Sequence, residues 1–111
     1  MTSQNIELRV ARDFTVNPGP RKKEDGQFSG EEFLTLELEP KFREAYNAKS
    51  ILTVNLDGVS GYPTSFLEEA FGGLARSFGS RVVNRHLEII SEDEPYLKEE
   101  IQQYIDQVQN P

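Results

Sequence analysis

The segment IELRV over residues 6–10 alternates apolar and polar side chains. A period of two predicts a half-buried first strand. Two later apolar runs with β-branched residues, 51–56 and 87–90, predict further strands, and 14–16 is expected to form a short strand or to extend the first. Because the run 51–56 is nearly continuous in apolar residues, we expect a central strand covered on both faces.

The segment 30–48 is the first predicted helix. Ser29 and Glu32 have the spacing of a capping box, in which each side chain accepts a hydrogen bond from the other residue's backbone N–H. Within this segment, 33–40 alternates as a strand would but also has apolar residues at helical spacing. The cap and the length of the segment favour a helix, which Pro40 would kink or restart.

A second helix is predicted over 65–78 and a third from Pro95 onward. Gly79 is well placed to end the second helix in the left-handed αL conformation. The element order predicts one α/β domain over 1–111 with right-handed crossovers, and the Pro, Gly and basic residues of 17–27 predict an exposed loop. The predicted buried stripes are Phe66, Leu67, Ala70, Phe71, Leu74 and Phe78 in the second helix and Leu97, Ile101, Tyr104, Ile105 and Val108 in the third.

Two adjacent glycines, Gly72 and Gly73, lie inside the second helix, where each costs about 1 kcal/mol relative to alanine. Gly73 falls on the flank of the helical wheel, where it would let a neighbouring element pack closely. Gly72 falls on the polar face, opposite the predicted core, so we expect an exposed notch that admits a partner molecule. Neutral drift and contact with the loop 17–27 are the alternatives. The polar face also carries Glu68, Glu69 and Arg76.

Composition excludes several classes of function. The 111 residues include no Cys and one His, so we expect neither disulfides nor a multi-histidine metal site, and a reducing compartment such as the cytoplasm. A net charge of −7 argues against binding to nucleic acid. No apolar run approaches the roughly 18 residues of a membrane span, and the first residues lack the apolar centre of a signal peptide. No cofactor is expected.

Hydroxyl groups begin the second helix. Ser65 has capping-box spacing with Glu68, and Thr64 could cap the helix instead. Both are also phosphoacceptor candidates, because a phosphate there would meet free backbone N–H groups and the positive end of the helix dipole. Glu68 and Glu69 would repel that phosphate, and such repulsion is one way to switch a binding surface off.

The loop 57–64 offers a second kind of site. Asp57 ends a strand, where α/β proteins place ligands, so Asp57, Gly58 and Ser60 are candidate residues for binding a small ligand or a nucleotide. The alternative role for Asp57 is that of a turn residue, and the loop lacks the lysine of a phosphate-binding loop. No set of nucleophile, base and orienting residue is present, so the chain is not expected to be an enzyme.

Three segments, DGQFSGEEF (25–33), NLDGV (55–59) and SFLEEAFGGLAR (65–76), resemble the bacterial family of STAS-like domains of unknown function, and the resemblance covers roughly 12–108. It implies a small mixed sheet of about four strands packed with three main helices. Better-known STAS relatives include anti-sigma factor antagonists. Those bind a serine kinase of the histidine-kinase-like ATPase family, which switches them off by phosphorylating a serine at the start of the helix after a central strand.

In this sequence that serine corresponds to Ser65, with Thr64 as its neighbour. Pro63 stands where antagonists carry an acidic residue, and the helix continues with bulky side chains rather than a small one. The resemblance predicts a non-enzymatic regulatory module that presents helix 65–78 and loop 58–64 to a protein partner such as an ATPase-type serine kinase. The predicted contact residues are Tyr62, Glu68, Glu69, Gly72, Gly73 and Arg76.

Overall fold

The computed structural model describes residues 5–108, which form three strands and five helices. The predicted α/β fold class is confirmed. The strands make a parallel sheet in the order β1-β2-β3, which differs from the expected small mixed sheet by having about one strand fewer and only parallel pairs. The three strand runs predicted from 6–10, 51–56 and 87–90 are confirmed. The strands are β1 (Ile6–Arg9), β2 (Leu52–Asn55) and β3 (Leu87–Ile90), and the shorter helices are α1 (Val10–Asp13), α4 (Ser80–His86) and α5 (Tyr96–Asp106).

The two long helices each contain a π-helical stretch. Helix α2 runs through Gly30–Phe33, π-helical Leu34–Leu38 and Glu39–Asn47, and helix α3 runs through Thr64–Leu67, π-helical Glu68–Gly72 and Gly73–Phe78. The ambiguous segment 33–40 is therefore helical. The N–H of Glu39 bonds to the carbonyl of Leu34, five residues back. This wider turn accounts for Pro40, which has no N–H and whose ring would otherwise crowd the carbonyl four residues before it.

The predicted start of α2 is confirmed, and the predicted end of α3 is confirmed in position but not in conformation. The capping box at α2 is formed by Glu32 N–H to Ser29 Oγ at 3.0 Å and Ser29 N–H to Glu32 Oε1 at 3.4 Å. Gly79 ends α3 with a positive φ of 88°, but its ψ of 143° lies outside the αL region predicted for it. Helix α4 starts directly after this glycine, and the sequence did not reveal it.

The predicted strand over 14–16 is wrong. The chain leaves the sheet at Val10, whose carbonyl accepts hydrogen bonds from the N–H groups of Phe14 and Thr15 at 3.0 and 2.9 Å. The Asp13 carboxylate accepts the N–H of Arg9 at 2.9 Å, which competes with continued strand pairing. The turn places the Phe14 ring against the core instead of in the sheet.

Among residues 5–108, helices cover one face of the sheet, so the prediction that β2 is covered on both faces is wrong. Both crossovers advance in the same direction across the sheet, and right-handed crossovers then put their helices on the same face. Leu8, Val54 and Ile89 form a buried row beneath the helices. The neighbouring row on the open face is Glu7, Thr53 and Glu88, whose polar character suits water.

Candidate functional site

Helix α3 follows the central strand, and its first turn lies at the carboxyl end of the sheet. Pro63 is the N-cap residue and no side chain caps the helix. The predicted capping box of Ser65 with Glu68 is therefore not formed. Thr64 and Ser65 lie inside the first turn, where Thr64 is exposed and Ser65 is half-buried. A hydroxyl on this turn remains accessible from solvent.

Gly72 is buried, so the prediction of an exposed notch is wrong. A Cβ atom at Gly72 would lie 2.7 Å from Glu68 Oε2 and 3.1 Å from Arg76 Nη1. These two side chains, eight residues apart, form an ion pair at 3.0 Å directly over the glycine. The absence of a side chain at Gly72 makes room for the chain's own ion pair and admits no partner.

Gly73 is also buried, and here the expectation of close packing is confirmed. A Cβ atom at Gly73 would lie 2.6 Å from Leu34 Cδ2. The π-helical stretch of α2 thus packs against α3 at this glycine. Neither Gly72 nor Gly73 is available as a partner contact.

The loop 17–27 covers the polar face of α3. The Arg21 guanidinium donates to Glu68 and, at 3.2 Å, to Glu69, while Lys22 Nζ lies 3.1 Å from Glu69 Oε2. Backbone bonds hold the loop in place, with the Pro20 carbonyl accepting the Gly30 N–H at 2.8 Å. The acids predicted to meet a partner are therefore neutralised by the protein itself.

These ion pairs have a consequence for the pH dependence of stability. The hydrogen bond from Arg21 lowers the pKa of the Glu68 carboxyl from 4.5, and Arg76 acts in the same direction against burial, which raises it. The folded-state pKa lies below the unfolded-state pKa of 4.5. The stabilisation is therefore fully present above pH 4.5 and is lost as the pH falls through the lower pKa of the folded state. We expect Glu68→Gln to lower the free energy of unfolding at pH 7 by up to about 1 kcal/mol and to cost less at pH 3.

Urea denaturation at pH 7 and pH 3 measures this difference. Glu99→Gln is the matched control, because Glu99 is an exposed carboxylate on α5 and the same charge is removed. Equal losses for Glu68→Gln at both pH values would contradict a stabilising role for these ion pairs.

Asp57 ties two loops together. Its Oδ1 atom accepts the backbone N–H groups of Glu92 and Asp93 at 2.8 and 2.9 Å, and Asp93 Oδ2 accepts the N–H of Gly58 at 3.0 Å. Ser60 Oγ donates to Asn17 Oδ1 at 2.8 Å. The residues of the alternative ligand site are thus engaged in holding the loops at the carboxyl end of the sheet.

Tyr62 also has an internal role. Its hydroxyl donates to the Leu56 carbonyl at 2.8 Å, and its ring packs 6.0 Å from that of Phe66. Burial, with Asp57 and Glu94 nearby, raises the pKa of the Tyr62 hydroxyl. Tyr62 is therefore mainly an anchor for loop 58–63.

Two apolar residues that the sequence did not single out lie at this end of the molecule. Val16 is 49% exposed and its carbonyl accepts the Ser60 N–H at 2.9 Å. Phe28 is 41% exposed, and its ring makes a T-shaped contact with that of Phe14, with 5.5 Å between the ring centroids. We name the surface formed by Val16, Phe28, loop 58–63, Thr64 and Ser65 the carboxyl-end surface. The sequence signal for Phe28 is an aromatic residue in the polar stretch DGQFSG.

Within residues 5–108, no three or more His, Cys, Asp or Glu side chains are arranged to hold a metal ion. No helix in this part of the chain has the length and apolar character needed to cross a bilayer.

No curated protein matches the sequence, and no solved structure matches it either. A family model described as STAS-like domain of unknown function (DUF4325) matches residues 29–97, from the capping serine of α2 into the first turn of α5. This range contains loop 58–63, Thr64 and Ser65 of the carboxyl-end surface, whereas Val16 and Phe28 precede it. The chain therefore belongs to the family of STAS-like domains of unknown function.

Proposed function

We propose that this STAS-like domain is a non-enzymatic regulatory module that binds a protein partner through the carboxyl-end surface. By resemblance the partner is an ATPase-type serine kinase, and the absence of Cys suits a reducing compartment such as the cytoplasm. Loop 17–27 covers the polar face of α3. We therefore place the partner surface at the first turn of α3 and the residues around it, and not on that face.

The conformation of Phe28 carries this proposal. Its φ of 54° lies in the left-handed region, which costs a residue other than glycine roughly 1–2 kcal/mol. The ring that this backbone presents is partly exposed to water, as is Val16. Strained residues persist where the surroundings impose them, and they concentrate at functional sites. Aromatic residues, Phe among them, are enriched at the cores of protein–protein interfaces.

The polar groups nearby favour a partner over a small ligand. Asp57, Ser60 and Tyr62 already bind other parts of the chain, so a ligand would have to displace those bonds. In the first turn of α3, Thr64 is exposed and Ser65 is half-buried. A phosphate on Ser65 would add negative charge one turn before Glu68 and Glu69 and oppose binding at this surface.

The test compares proteins captured from a native lysate of the cells that contain this chain. Phe28→Asn removes the ring while keeping a residue that tolerates positive φ, and Ser65→Asp introduces negative charge at the proposed phosphoacceptor. We expect one ATPase-type kinase to be enriched by the wild type and to fall at least about tenfold with either variant.

Two matched variants control for general effects. Leu36→Gln removes an apolar side chain that is 62% exposed on α2, and Ser77→Asp adds charge at the other end of α3. Both should capture the partner as the wild type does. Equal recovery with Phe28→Asn and wild type would overturn the proposed surface, and equal recovery with Ser65→Asp alone would remove the phosphoswitch but leave the surface.

A further inference from the structure

The outer edge of β3 has backbone groups that the sheet does not use. The Ile90 carbonyl accepts the Leu56 N–H at 2.8 Å, so the backbone of Ile90 faces β2. Strand residues alternate in direction, and the N–H and C=O groups of Leu87 and Ile89 therefore face away from β2. Within residues 5–108 they have no hydrogen-bond partner. Such an edge is a template for another strand.

The opposite edge of the sheet is closed differently. On β1 the outward N–H of Arg9 donates to the Asp13 carboxylate at 2.9 Å, and helix α1 turns the chain away from the sheet. Charged side chains also flank that edge, where Arg12 pairs with Asp13 at 2.8 Å. At its carboxyl end, the β1 edge is therefore less able than the β3 edge to receive a strand.

A groove runs beside the open edge. Its volume of about 230 Å³ is below the roughly 300–1,000 Å³ of a pocket for a drug-sized ligand, and it suits the side chains of an extended chain better. One wall is β3 itself, with Ile89 buried at its base. The other wall is a single face of α5, formed by Lys98, Gln102 and Ile105 at positions i, i+4 and i+7.

The charges at the groove point to an acidic occupant. Arg85 and Lys98 line it, and neither side chain has an ion-pair or hydrogen-bond partner in the part of the chain that the structure describes. The protein as a whole has a net charge of −7, and the basic residues that contact the polar face of α3 are paired with acids. The two unpaired cations at the groove therefore stand out. Glu88 is the acid among the lining residues, and its side chain belongs to the open face of the sheet. The Asp106 carboxylate beside the groove already accepts hydrogen bonds from Asn84 and Gln102. An acidic side chain would meet two free cations here.

A second copy of this chain fits the edge poorly. Antiparallel pairing of two β3 strands through Leu87 and Ile89 would place Glu88 directly opposite Glu88 of the other copy. Like charges in that position are destabilising. Glu88 therefore disfavours self-association by this edge.

We propose that the open edge of β3 binds an extended acidic peptide segment of a partner protein as an added strand. Its backbone bonds to Leu87 and Ile89, an apolar side chain enters the groove against Ile105, and a carboxylate meets Lys98. This mode of recognition takes affinity from main-chain bonds and specificity from side-chain pockets. The surface is separate from the carboxyl-end surface and does not depend on the function proposed for it.

The test starts from a phage-displayed library of random heptapeptides selected against the full chain. We expect enriched peptides to alternate apolar residues with Asp or Glu. Lys98→Glu should weaken the binding of a selected peptide at least about tenfold, whereas Lys23→Glu, an equal charge change in loop 17–27, should change its Kd by less than about twofold. Arg85→Glu should act in the same direction as Lys98→Glu.

Amide hydrogen exchange locates the bound peptide. Exchange at Leu87 and Ile89 should slow when the peptide binds, while Glu88 and Ile90, which already face β2, should change little. No enrichment, enrichment without acidic residues, or equal binding to wild type and Lys98→Glu would overturn the proposal. Protection of the same two amides by dimerisation in the absence of peptide would also overturn it, in favour of a second copy.

Discussion

Replacing Gly30 with alanine is expected to lower the free energy of unfolding by about 3 kcal/mol. Gly30 begins α2 at the point where this helix meets the first turn of α3. A Cβ atom at Gly30 would lie 2.6 Å from the backbone oxygen of Phe66 and 3.1 Å from its Cα. Because these are main-chain atoms inside a helix, no rotamer change can relieve the overlap. The two helices would have to move apart, and the buried contacts between them would weaken.

Gly72→Ala is the matched comparison, since it makes the same change in a helix at another buried glycine. There the added Cβ meets the ends of the Glu68 and Arg76 side chains, which can turn away. Losing their partly exposed ion pair costs up to about 1 kcal/mol, and the higher helix propensity of alanine offsets a similar amount. We expect this variant to lie within about 1 kcal/mol of the wild type. Urea denaturation of both variants measures the contrast, and equal losses would contradict it.

Helix α3 shows which structural features hydrophobic periodicity can predict and which it cannot. The stripe of α3 from Phe66 to Leu74 is buried as the helical wheel predicts, because it depends on local spacing alone. The burial of Gly72 depends on Arg21, which is 47 positions from Glu68 in the chain, and on an ion pair over the helix surface. The π-helical stretch also shifts the turn away from the ideal wheel. Neither feature has a local pattern.

The candidate site also has features that the sequence could predict and features that it could not. The resemblance correctly put the hydroxyls of Thr64 and Ser65 at the start of the helix after β2, because that order is fixed along the chain. It could not reveal that Asp57 binds the loop after β3, since strand ends meet only when the sheet forms. Phe28 was missed because exposure and a positive φ are properties of the folded loop. Whether these residues bind a partner remains a prediction.

Replacing Phe33 with alanine should have the largest effect on stability, a loss of about 4 kcal/mol. Phe33 is completely buried in α2. Its ring lies 5.3 Å from that of Phe14, 5.6 Å from Phe66 and 6.3 Å from Phe71. These neighbours come from the segment after α1 and from α3, so the cavity would open where three parts of the chain meet. The free energy of unfolding of a natural domain is roughly 5–15 kcal/mol in total.

Phe33→Leu and Leu36→Ala separate the causes of that loss. Phe33→Leu keeps most of the apolar volume and should cost about 1.5 kcal/mol, and Leu36→Ala truncates a largely exposed side chain and should cost less than about 0.5 kcal/mol. Urea denaturation followed by circular dichroism gives all three values. A loss for Phe33→Ala no larger than that for Leu36→Ala would show that the ring cluster does not hold the core. Because Phe14 touches both Phe33 and the exposed Phe28, Phe33→Ala should also weaken partner capture at temperatures where the variant is still folded. Because the Phe28 ring packs on Phe14, and Phe14 packs on Phe33, we expect the orientation of the exposed ring to depend on the buried one.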